Sequence, residues 1–124
     1  MKLRIDGDSI RLRLSRSEVA GFAESGRVEE TVRFGHGAAL RYVLESTKNA
    51  RSTRARFDVD TIRITVPEEA ARQWTATDEV SIEAEQSLEG QHQLSIVIEK
   101  DFQCIHKPGE QDEDAFPNPL AARG

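Results

Sequence analysis

Cysteine is nearly absent from this chain: Cys104 is the only one in 124 residues. No internal disulfide can form, so burial and hydrogen bonding must hold the fold, and the expected compartment is the reducing cytoplasm. Long apolar runs are missing too. None exceeds four residues, as in "IVI" or "AAL", whereas a bilayer-spanning helix needs about 20. The opening "MKLRID" has no apolar stretch of the export-signal kind. No glycine-rich phosphate loop, Ser-His-Asp order or metalloprotease helix motif occurs. Hydrophobic residues make up 37%, low for a globular domain but too high for wholesale disorder. One folded body with a loose tail and no membrane span is therefore expected.

The net charge of −5 conceals an asymmetry. Residues 1–56 carry 12 Lys/Arg against 7 Asp/Glu, a balance of +5; residues 57–124 carry 5 against 15, a balance of −10. Such a split suits either an anionic partner for the basic half or one half complementing the other.

The chain also says one thing twice. "LRIDGDSIRLRL" (3–14) returns as "ARFDVDTIRITV" (55–66), and at a constant offset of 52 residues 3–48 lie over 55–100 without a gap. Arg4/Arg56, Asp6/Asp58, Asp8/Asp60, Ile10/Ile62 and Arg11/Arg63 are identical pairs, and Phe22/Trp74, Tyr42/Leu94 and Leu44/Ile96 keep their apolar character. Repetition of this kind marks one supersecondary unit used twice.

Period-2 alternation in "LRI" and "IRLRL" puts Leu3, Ile5, Ile10, Leu12 and Leu14 on one face and Arg4, Arg11 and Arg13 on the other, which predicts a half-buried hairpin. "DGD" forms its turn in the first copy; "DVD" stands there in the second, so a glycine turn is not obligatory. Ser15 and Glu18 have capping-box spacing, Val19, Phe22 and Ala23 share a helical face, and Gly26 stands where a C-cap belongs. In the second copy Pro67 suits the first helical position, with Glu68 and Glu69 at the positive end of the dipole. Two strands follow in each copy, near 27–34 with 39–46 and 79–86 with 93–100.

The expected fold is α+β, mostly β: a pseudo-symmetric, barrel-like antiparallel sheet from two ββαββ repeats (1–50 and 53–101) with two short helices. Residues 1–106 form one duplicated domain, and 107–124 an acidic, proline-containing, flexible tail. Closure into a barrel buries the inward faces and leaves few edges exposed. The duplication lets a monomer act as an internal pseudo-dimer, with a homodimer as the alternative.

"RITVPEEAARQW" followed by "DEVSIEAE" resembles the core of the AbrB/MazE family, swapped-hairpin β-barrels that act as transcription factors and antitoxins. Arg63 to Pro67 matches the family's strand, Trp74 its helix-closing apolar position, and Asp78-Glu79-Val80 its turn; Ser15, Phe22 and Gly26-Arg27-Val28 repeat this faintly in the first copy. The resemblance implies DNA binding through basic residues of the leading hairpin, at positions Lys2, Arg4, Arg11 and Arg13. In the second copy only Arg56 and Arg63 remain, beside Asp58 and Asp60. The whole chain is also similar to a family of small uncharacterised bacterial proteins, through "MKLRIDGDSIRLRLSRSEV" and "EKDFQCIHKPGEQDEDAFPNP". That similarity implies no activity.

The outward arginines could follow phosphates or clamp carboxylates, or form a solvated face paired with neighbouring acids. Asp6/Asp8 and Asp58/Asp60 read as turn formers rather than a Ca²⁺ loop. Cys104 and His106, near Asp101, offer a fragment of a metal or thiol site without a second Cys pair or orienting group; His36 and His92 fall in the two outer hairpins. Trp74, Phe22 and Tyr42 read as core. In the tail, Phe116 could anchor an acidic segment over the basic hairpin, competing with anionic partners.

The resulting expectation is a cytoplasmic, non-enzymatic binding or regulatory module that recognises protein or nucleic acid, without a cofactor, through Lys2, Arg4, Arg11 and Arg13, on the pattern of an AbrB-like regulator or antitoxin. The alternative is a metal- or thiol-dependent enzyme centred on Cys104 and His106.

Overall fold

The computed structural model describes residues 1–102 and Phe116. The predicted alternation appears directly as two leading hairpins. Strand β1 (Lys2–Ile5) pairs antiparallel with β2 (Ser9–Leu14), and β5 (Arg54–Asp58) with β6 (Thr61–Pro67). Ile10, Leu12 and Leu14 are buried on one face, as are Ile62, Ile64 and Val66.

Each leading hairpin feeds a short helix. Helix α1 (Arg16–Ser25) opens on a complete capping box: the Ser15 hydroxyl accepts from the Glu18 amide at 3.4 Å, and the Glu18 carboxylate accepts from the Ser15 amide at 2.9 Å. It closes on Gly26, left-handed at φ +76°, whose N–H donates to the Phe22 carbonyl at 2.8 Å. Helix α2 (Glu68–Ala76) starts after Pro67, which occupies the cap rather than the first helical position expected of it. Strands β3 (Arg27–Gly35) and β4 (Ala38–Thr47) follow α1; β7 (Ser81–Ser87) and β8 (Gln93–Lys100) follow α2.

The helix carries the chain from one sheet to the other. Each repeat therefore gives its first hairpin to one sheet and its second to the other, in strand orders β1-β2-β8-β7 and β3-β4-β6-β5. The mostly-β α+β class holds, but two details of the expectation are corrected. The hairpins are antiparallel, whereas the two repeats join through parallel pairs, β2 with β8 and β4 with β6, so both sheets are mixed. The barrel is also not closed: four-stranded sheets face one another without a ladder between them.

The seams explain the missing closure. Between β5 and β7 the Gln86 side-chain amide stands in for a strand, accepting from the Ala55 amide at 2.7 Å and donating to the Ala55 carbonyl at 3.1 Å. At the other seam the Tyr42 hydroxyl donates to the Met1 carbonyl at 2.8 Å, and the Met1 amine ion-pairs with Glu18 and with Glu30 of β3. Side chains thus satisfy edge groups that a barrel would satisfy with backbone.

The duplication holds, but its offset is not constant. Equivalent positions lie 52 apart through the first hairpin and the helix, as with Phe22 and Trp74, and 54 apart from β3 onward. Registers and hydrogen bonds fix this. Arg27 faces Glu45 as Ser81 faces Glu99; the Arg41 amide donates to Asp60 as the Ser95 amide donates to Asp8; and Ser46 bonds Gly26 as Lys100 bonds Val80. Tyr42 therefore corresponds to Ile96 and Leu44 to Ile98, not to Leu94 and Ile96. The cause lies in the turn after each helix. Gly26 turns in one residue by adopting a positive φ, whereas the second copy has no glycine there and uses the longer Thr77-Asp78-Glu79-Val80.

One hydrophobic cluster draws on both repeats in matched pairs: Ile10/Ile62, Leu12/Ile64, Leu14/Val66, Val19/Ala71, Leu44/Ile98 and Phe22/Trp74. Phe22 and Trp74 meet edge to face, with ring centroids 6.3 Å apart at 65°. Equivalent residues in contact lie across the axis relating the halves, so this aromatic pair marks the pseudo-twofold. The Trp74 indole N–H is satisfied by the Val80 carbonyl at 3.1 Å.

Candidate functional site

The outward faces of the leading hairpins carry the cations. Lys2 stands opposite Arg13 and Arg4 opposite Arg11, and the four side chains line one shallow concavity of about 130 Å³. Like charges directly across a ladder repel, so such a face needs counter-charge. Strand β8 supplies it. Glu99 accepts from Arg13 Nε and Nη2 at 2.9 and 2.8 Å and from Arg11 Nη1 at 3.0 Å, while Lys2 Nζ lies 3.4 Å from Asp101. Glu99 is largely buried, with a side chain 14% exposed, so this fork is firmly held. Arg4 has no ion-pair partner among the described residues.

The second hairpin repeats the plan. Arg56 stands opposite Arg63, and Arg63 is bound by Glu45, the counterpart of Glu99. Arg54 is the counterpart of Lys2. Arg54 and Arg56 are exposed and, like Arg4, have no ion-pair partner among the described residues. The sequence reading counted only Arg56 and Arg63 here and missed Arg54, although the 52-residue offset places it over Lys2. Each half thus presents exposed, unpaired arginine beside arginine tethered to a β8 or β4 glutamate. Part of the charge asymmetry is met internally: Glu99 and Asp101 of the acidic half serve Arg11, Arg13 and Lys2 of the basic half.

Two of the turn aspartates, Asp60 and Asp8, lie against side chains from beyond their own hairpins. The Asp60 carboxylate accepts from Thr61 Oγ1 at 2.9 Å and from Arg41 at 2.9 Å. His92 Nδ1 lies 3.8 Å from Asp8. Among the described residues no three His, Cys, Asp or Glu side chains converge as a metal cluster. Cys104 and His106 lie outside the described residues.

Phe116 packs at the far end of β8. Its amide donates to the Asp101 carbonyl at 2.6 Å, it forms a parallel bridge with Phe102, and the two rings are 5.8 Å apart. Lys100, buried at 7% exposure, sits between aromatics: Nζ is 5.6 Å from the Phe116 ring and 5.7 Å from the Trp74 ring, and donates to the Thr77 carbonyl at 2.8 Å. Burial holds the Lys100 ammonium below the usual lysine range, against the opposing pull of Asp78 and Glu79. Phe116 is half-buried and packs against the hydrophobic core as well as against Lys100, Asp101 and Phe102.

The hairpin tips add an unforeseen feature. Ile5 and Phe57, equivalent residues, are 60% and 69% exposed and flank an apolar groove of about 210 Å³ floored by Ile10, Ile62 and Leu94. Period-2 reading places both inward, but at the strand ends the sheets part and leave them uncovered.

A family model described as a family of unknown function, DUF7009, matches residues 1–120. No curated protein and no solved structure matches the chain.

Proposed function

We propose that this chain, which belongs to the DUF7009 family, is a non-catalytic binding module that docks an anionic partner, nucleic acid foremost, on its two basic hairpins. The observation that carries the reading is the doubled arrangement of unpaired Arg4 opposite Arg11 and unpaired Arg56 opposite Arg63. A pseudo-twofold protein with matched cationic strips suits a ligand that itself repeats, as a phosphodiester backbone does. The exchange of hairpins between sheets supports the likeness to AbrB/MazE regulators and antitoxins, with one chain supplying both halves. The single cysteine supports action in a reducing cytoplasm.

A specific observation favours a second reading, an acidic protein segment as the partner. Glu99 and Glu45 already neutralise part of the arginine charge, so few cations remain free for a long polyanion. Fluorescence anisotropy separates the two. A labelled random DNA duplex is titrated with the wild-type chain and with Arg4→Glu/Arg56→Glu at low and physiological salt. Binding that weakens with salt and is lost in the double variant supports the nucleic-acid reading; no binding by wild type at low salt removes it and leaves the protein partner.

A further inference from the structure

The two ends of the sandwich are finished differently. At one end α1 and α2 cross the core and seal it with the Phe22–Trp74 pair. The chain's own Phe116 is seated at that end too, beside Lys100. At the other end lie the four hairpin turns, covered by neither α-helix. Backbone bonds place them together: the Arg41 amide donates to Asp60 in the β5–β6 turn and the Ser95 amide to Asp8 in the β1–β2 turn, so the β3–β4 and β7–β8 turns lie just beyond. Ile5, Val32, Phe34, Phe57 and Leu88 gather at this end, 40–69% exposed. Val59 is not part of the group, because it lies on the outer side of its turn with Asp58 and Arg63. Ile5 and Phe57 are equivalent residues on either side of one apolar groove. The axis that passes between Phe22 and Trp74 therefore leaves the molecule through that groove.

We propose that this open end is a homodimer interface, in which a second copy, turned end to end, seats its own Ile5 and Phe57 against those of the first. Two observations select a second copy as the occupant. The first is area. With about 200 Å² for a whole aromatic side chain, Phe34 and Phe57 leave on the order of 270 Å² uncovered, and Ile5, Val32 and Leu88 bring the total to roughly 450 Å². A standard interface covers about 800 Å² per partner, a little over half of it apolar, so this end carries the apolar share that a dimer needs. The second is charge. Asp6 and Asp58 are exposed and have no ion-pair partner among the described residues, and Arg56 on the groove wall is likewise unpaired. A rim with free charge of both signs complements itself after a twofold rotation, whereas an acidic partner would meet the turn aspartates. The dimer axis lies at right angles to the internal one, so four ββαββ repeats share approximate 222 symmetry and assembly closes at two chains. The interface goes beyond the reading given for the basic hairpins and does not depend on it.

Sedimentation equilibrium of the full chain, without nucleic acid and from about 1 µM to about 1 mM, tests this. The expected result is a concentration-dependent rise to twice the mass of one chain. Phe57→Glu and Ile5→Glu, exposed positions on the two hairpins, should each weaken association at least about tenfold. Unchanged fluorescence of the buried Trp74, at the opposite end, shows that both variants remain folded. In a mixture of isotope-labelled and unlabelled chain, filtered NOEs should link Phe57 of one copy to Ile5 or Phe57 of the other. A chain that stays monomeric throughout the range, or a dimer that both substitutions leave intact, would overturn the proposal.

Discussion

Arg63 donates to Glu45 across the parallel β4–β6 pair, and the same relationship recurs between Arg11 and Glu99 across β2–β8. The duplication thus preserved an inter-strand ion pair as well as a core, and in both halves the pair lies beside an arginine left free. Glu99 is the sharper test because it holds two guanidinium groups. Glu99→Gln should free Arg11 and Arg13, tighten duplex binding, and steepen its logarithmic salt dependence by about 1–2 units. Loss of a largely buried counter-charge should cost about 1–3 kcal/mol in chemical denaturation. Anisotropy at several salt concentrations reads the first effect and urea titration the second.

The hairpin turns hold a different asymmetry. Gly7 has φ +57° and its counterpart Val59 has φ +58°, a conformation that costs a β-branched residue roughly 1–2 kcal/mol. Val59 is 91% exposed, so its side chain gains little from packing in return. Val59→Gly should raise stability by about 1 kcal/mol, or roughly 5 °C in Tm, after the extra entropy of glycine in the unfolded chain is offset. Differential scanning calorimetry would decide, and an unchanged or lower Tm would contradict the strain.

Gly26 is needed for both conformation and space. At φ +76° it closes α1, and a Cβ there would lie 2.9 Å from the Ser46 hydroxyl. Gly26→Ala should destabilise by about 1–3 kcal/mol, and adding Ser46→Ala should recover only the steric part. Full recovery in the double variant would show that φ is not the constraint.

Stability should also depend on pH through Glu18. Burial pushes its carboxyl up, but the Met1 amine and the Ser15 amide together outweigh that and hold it below the usual carboxylate range. With the folded value depressed, its contribution is complete above the unfolded value and disappears as pH falls through the folded one. Glu18→Gln keeps a capping-box residue and removes the charge. It should lower stability near neutrality and progressively less toward acid, read as converging urea midpoints. Parallel midpoints across pH would contradict the assignment.

How far the sequence reaches can be judged residue by residue. Alternation, the Ser15–Glu18 box and Gly26 are local signals that mark both leading hairpins and α1, and Pro67-Glu68-Glu69 marks the start of α2 to within one residue. The 54-residue offset after the helices is invisible to the same reasoning, because a slip of two residues keeps every side chain on its own face of a strand. Parallel pairing of β2 with β8 joins residues 86 positions apart, and no local pattern encodes it. For the same reason the outward arginines were legible as a basic face, while Glu99, which neutralises half of that face, was not. Arg54 is the reverse case: the repeat already placed it over Lys2, and only the emphasis on identical pairs hid it.

The central claim, that the two leading hairpins form one doubled anion-binding surface, is tested most directly by mapping duplex DNA onto the ¹⁵N-labelled chain at low salt. The account predicts perturbed amides in two clusters, residues 2–13 and 54–63, both diminished in Arg4→Glu/Arg56→Glu. Perturbations confined to other strands, or a spectrum that duplex leaves unchanged, would contradict it.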